Sequence, residues 1–109
     1  MSGSGAVTWR LPDKIQIGGQ FYRIQVQPLV DAFGGCEKHK KIILLQDEYS
    51  DASAFLVTFF HECIHAIECE YHVGGDGDDD RIPERDVDRL AQGLTQVLLA
   101  LLDEIEDDD

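Results

Sequence analysis

Two histidines four residues apart, with a glutamate directly after the first, raise the question of this chain's chemistry. They are His61, Glu62 and His65, within TFFHECIHAIECEYH at 58–72. Residues at i and i+4 of a helix stand one turn apart on the same face. His61 and His65 can therefore direct two imidazoles at one ion, as the tetrahedral N/O coordination of zinc requires. Glu62 is carried to the side of that ion, where its carboxylate can act as general base on a zinc-bound water. The three positions together describe metal-assisted amide hydrolysis. The pattern also arises by chance, and lone histidines often serve packing. Here it is flanked by Phe59, Phe60, Cys63, Ile64 and Ile67, where unpaired imidazoles and a carboxylate would be costly without a metal.

A catalytic zinc needs a third protein ligand and an open position for water. Glu84 is the leading candidate, because the segment after His65 is long enough to turn back and lay a second helix against the first. Asp88, at i+4 from Glu84, can accept the second N–H of a ligand histidine and fix its tautomer. An acidic first helical turn is also a common stabilising device at a positive helix N-terminus. Asp86, His72 and Cys36 remain as rival ligands. His72 lies two turns beyond His65, about 10 Å away on a straight helix, and reads better as a surface residue. Cys36 reads better as a small buried hydrophobe.

The elements that must position these groups follow from periodicity and punctuation. KIQIGGQFYRIQV (14–26) reads as two short strands around Gly18-Gly19, closed by Pro28. After a loop carrying Gly34-Gly35, KKIILLQ (40–46) reads as a third strand buried on both faces. A helix follows, with Ser50 or Asp51 as N-cap and no Gly or Pro before Gly74. Pro83 opens a second helix over about 83–105, expected to bury Val87, Leu90, Ala91, Leu94, Val97, Leu98, Leu101 and Leu102. Gly93 inside it costs about 1 kcal/mol relative to Ala and suggests a close helix contact. The expected class is α+β: a three-stranded, mainly antiparallel sheet packed on the histidine-bearing helix and a second, C-terminal helix. Residues 1–12 read as a flexible N-terminus, 13–105 as one domain and 106–109 as an acidic disordered tail.

Bulk properties narrow the partners. The 109 residues suffice for one modest core, and 22 acidic against 9 basic residues leave a net charge of −13. That balance opposes binding to nucleic acid, whose phosphates call for clustered Lys and Arg. The run VLLALL (97–102) is too short to span a bilayer, and no export signal is expected. Three cysteines without a C-x-x-C pair fit a reducing cytoplasm. GDGDDD (75–80) reads as a solvated loop; Arg81 and Val87 occupy positions that a calcium loop reserves for glycine and glutamate. Lys38, His39, Lys40 and Lys41 read as an exposed turn beside an edge strand.

The hairpin, GGCEKHKKIILL, FFHECIHAIECEY and IPERDVDRLAQGL together resemble the small zincin-like metallopeptidases of phages and prophages. These are related in outline to ImmA/IrrE-type peptidases, which act on phage or stress-response repressors. The likeness covers roughly residues 14–102. It implies a peptidase in a phage or bacterial host cytoplasm acting on a peptide or protein, with one Zn2+ per chain. His61, His65 and Glu84 would be its ligands and Glu62 its catalytic base. The Glu84/Asp88 pair also resembles the E-x-x-x-D helix of thermolysin-like gluzincins. Glu68 and Tyr71 stand where metzincins need glycine and histidine, which excludes that branch. No DNA-binding or sensor segment is read in these residues, so repressor cleavage does not carry over. The alternative expectation is a non-catalytic interaction or structural protein of phage origin, stabilised by its metal.

Overall fold

A computed structural model describes residues 11–30, 32–73 and 82–107. The first ten residues, the acidic loop at 75–80 and the last two residues of the expected tail lie outside the described residues. The class is α+β: four strands in one sheet and two helices.

Strands β1 (Lys14–Ile17) and β2 (Gln20–Val26) form the expected hairpin, antiparallel with Ile17 opposite Gln20. Gly18 takes φ 61° in its two-residue turn, the left-handed region that glycine enters at no steric cost. The segment expected as a loop is strand β3 (Gly34–Glu37), and the third expected strand is β4 (Ile42–Leu45). Sheet order is β1-β2-β4-β3, with β4 parallel to β2 and antiparallel to β3. The sheet is therefore mixed and four-stranded rather than three-stranded. GGCE has weak strand propensity; pairing of Gly34 with Leu45 and of Cys36 with Ile43 makes it a strand.

Helix α1 (Ala52–Tyr71) is capped by Asp51, whose Oδ1 accepts the Ala54 N–H at 2.8 Å. It ends at His72, which takes φ 55°. One face of α1 meets the sheet: Phe55, Leu56, Cys63 and Ala66 pack with Ile17, Tyr22, Ile43 and Leu45. In β4 the alternate residues Ile42 and Leu44 are only half-buried, contrary to the expected burial of both faces. Helix α2 (Glu84–Asp107) continues past the point where a tail was expected. It docks on α1 through Val87 and Ala91 against Ile64, flanked by Val57, Phe60 and Ile82.

Four residues expected in the core of α2 are exposed: Leu90, Leu94, Val97 and Leu101. The helix touches its neighbour along one stripe only, and this second stripe points away from it. A Cβ at Gly93 would meet nothing within 4 Å, so no close contact among the described residues accounts for that glycine. Among the described residues, no helix is long and apolar enough to cross a membrane.

Candidate metal centre

The site is built where the later turns of α1 meet the first turn of α2. His61 and His65 both leave α1 on the side that faces α2, and their Nε2 atoms converge to 3.2 Å. The Glu84 carboxylate from α2 closes the third side. Its Oε2 lies 3.2 Å from each Nε2, and its Oε1 lies 2.9 Å from that of His65. One donor atom from each of the three residues lies within 4.8 Å of the others. Ligand atoms about 2.0–2.1 Å from a tetrahedral zinc stand roughly 3.3–3.4 Å apart. The three side chains therefore fit such an ion in both chemistry and spacing.

The outward nitrogens carry further information. His65 Nδ1 lies 2.8 Å from Glu68 Oε1, and His61 Nδ1 lies 3.5 Å from Asp88 Oδ1. The first is a formed hydrogen bond; the second is a looser approach. An ionised carboxylate only accepts, so a neutral histidine facing one keeps its proton on Nδ1 and leaves Nε2 bare. With that tautomer at both histidines, two bare Nε2 atoms and the Glu84 carboxylate would face one another as three acceptors, an arrangement that a cation completes.

Glu62 is nine-tenths buried, at 9% exposure. Burial raises its carboxyl above the usual value; His61 and His65 oppose that shift, and Glu84 adds to it. Beside it lies a cavity of about 240 Å³ lined by Phe33, Gly34, Val57, Thr58, His61, Glu62 and Asp88. Strand β3 forms the wall facing Glu62, and the approach is close. A Cβ at Gly34 would fall 2.7 Å from Thr58 Cγ2 and 3.3 Å from Glu62 Cγ.

The structure thus brings His61, His65, Glu84, Glu62 and Asp88 together. It leaves the three rivals elsewhere. Asp86 points to Arg89 at 3.7 Å, His72 is an exposed helix cap, and Cys36 packs against the sheet core. Glu68 was missed by the sequence reading, although an acidic residue at i+3 from a ligand histidine on a buried helix face was a usable signal. No family model matches the chain, and comparisons with curated proteins and with solved structures return no significant match.

Proposed function

We propose that this protein is a zinc-dependent peptidase of minimal, zincin-like build, holding one Zn2+ per chain through His61, His65 and Glu84. The observation that carries the reading is the convergence of His61 Nε2, His65 Nε2 and the Glu84 carboxylate beside a buried glutamate. Bound there, zinc supplies Lewis acidity, polarising the scissile carbonyl and acidifying water. The chain's own residues do the rest. Glu62, buried and raised by that burial, takes a proton from the attacking water and delivers it to the leaving amine nitrogen. Asp88 approaches His61 from behind and favours the tautomer with Nε2 free.

Substrate enters as an extended strand along the open edge of β3, the outer strand next to Glu62. Main-chain hydrogen bonds to that edge provide binding without deep pockets, which suits so small a domain. Glu62→Gln is expected to retain about one zinc per chain while cutting hydrolysis of a peptide library by a factor of at least about 10². Glu84→Ala is expected to weaken zinc binding itself. Elemental analysis and mass-spectrometric detection of cleaved peptides read the two effects separately. Parental activity in Glu62→Gln, or no zinc in the parent, overturns the proposal. Zinc without cleavage points instead to the metal-stabilised interaction protein.

A further inference from the structure

Among the described residues, Glu68 is the buried carboxylate near the centre that the proposed reaction does not use. It is 2% exposed and lies on the α1 face shared with His65. Among the described residues, no lysine or arginine pairs with it, and its side-chain bonds go elsewhere. Oε1 is 2.8 Å from His65 Nδ1, and Oε2 accepts the Ile82 N–H at 2.9 Å. Ile82 stands two residues before Glu84. Immediately after it, the Pro83 carbonyl accepts the Asp86 and Val87 N–H groups and opens α2. The Glu68 main-chain carbonyl meanwhile receives the His72 and Val73 N–H groups that end α1.

We propose that Glu68 is the positioning residue of the metal centre, one carboxylate that sets two of the three ligands at once. Through Oε1 it holds the His65 proton on Nδ1 and turns the bare Nε2 toward the ion. Through Oε2 it fastens the chain at the entry to α2, and so places Glu84 opposite the imidazoles. A carboxylate serves both roles because each oxygen only accepts. Histidine ligands backed by a carboxylate are oriented more firmly and bind metal more tightly. This inference rests on the zinc reading and adds to it a residue that touches neither substrate nor metal.

Glu68→Gln separates this role from a structural one. The amide keeps the size of the side chain but offers one acceptor where two N–H groups point. Zinc affinity, measured by competition with a chromophoric chelator, should fall about 10- to 100-fold. The helix signal in circular dichroism and the thermal midpoint of the zinc-free protein should stay near the parent's. Glu68→Asp keeps the charge but shortens the reach, and should recover part of the loss. A second measurement needs no variant: long-range ¹H–¹⁵N spectra of the zinc-free parent should show His65 protonated at Nδ1.

Parental zinc affinity in Glu68→Gln, or a His65 proton on Nε2, overturns the positioning role while leaving the zinc site standing. A lowered thermal midpoint with unchanged affinity assigns Glu68 to structure alone. No zinc binding in the parent removes the zinc reading and this inference together.

Discussion

At the scale of single residues, the grouping of His61, His65 and Glu84 was the most legible part of the chain. Helical spacing alone puts His61 and His65 on one face, and the acidic first turn of the second helix made Glu84 the leading third partner, with Asp86, His72 and Cys36 as rivals. Spacing cannot choose between Glu84 and Asp86, because a two-residue shift in a helix start changes which one faces inward. The packing of Val87 and Ala91 on Ile64 sets that phase. Glu68 escaped because a glutamate late in a helix normally reads as solvated surface. Cys63 and Cys36 were legible as packing residues. Burial pushes the Cys63 thiol up to about 12 and that of Cys36 up to about 11. Thiolate is the reactive form. Native protein at pH 8 should therefore alkylate at these two positions more than about tenfold more slowly than protein in denaturant. Peptide mapping of an iodoacetamide time course checks this, and rapid native labelling of Cys36 would restore it as a candidate ligand.

At the scale of elements, hydrophobic pattern found both helices and the hairpin but failed on β3 and on one stripe of α2. GGCE lacks side chains that announce a strand, and its glycine is needed for a reason only the assembled fold reveals. At Gly34 the strand lies so close to α1 that a Cβ would stand 2.7 Å from Thr58 Cγ2 and 3.1 Å from the Leu44 carbonyl oxygen. Gly34→Ala must push β3 away from the helix at an expected cost of about 1–3 kcal/mol. The wall facing Glu62 would move with it. At Gly35 the nearest atoms to an added Cβ are 3.8 and 4.0 Å away, so Gly35→Ala should be tolerated. Urea titration of the two variants tests the contrast, and equal destabilisation would mean that Gly34 is no special point of contact. The α2 stripe failed for a different reason. Periodicity says that Leu90, Leu94, Val97 and Leu101 share a side, but not that any element covers it.

At the scale of the whole molecule, the sheet and the far end of α1 are joined by one polar cluster outside the candidate centre. Lys41, from the turn before β4, reaches Glu70 Oε2 at 2.6 Å, and the Tyr22 hydroxyl donates to the same oxygen at 2.7 Å. The Lys41 hydrogen bond, followed by that of Tyr22, holds the Glu70 carboxyl below its usual value. The hydrogen bond to Glu70 likewise raises Lys41, against a smaller effect of burial. A carboxyl depressed by folding stabilises fully above its unfolded pKa, about 4.3 for glutamate, and loses that contribution as pH falls through the folded value. The raised lysine stabilises fully below its unfolded pKa, about 10.4, and loses that contribution as pH rises through its folded value. The cluster should thus act at full strength between roughly pH 5.5 and 9.5. General acid effects on so acidic a chain also change stability with pH, so the informative quantity is the difference between parent and Glu70→Gln. That difference in urea unfolding free energy should be flat across the window and shrink below about pH 4. A difference as large at pH 3.5 as at pH 7 would mean that the ionised pair is not what joins α1 to the sheet.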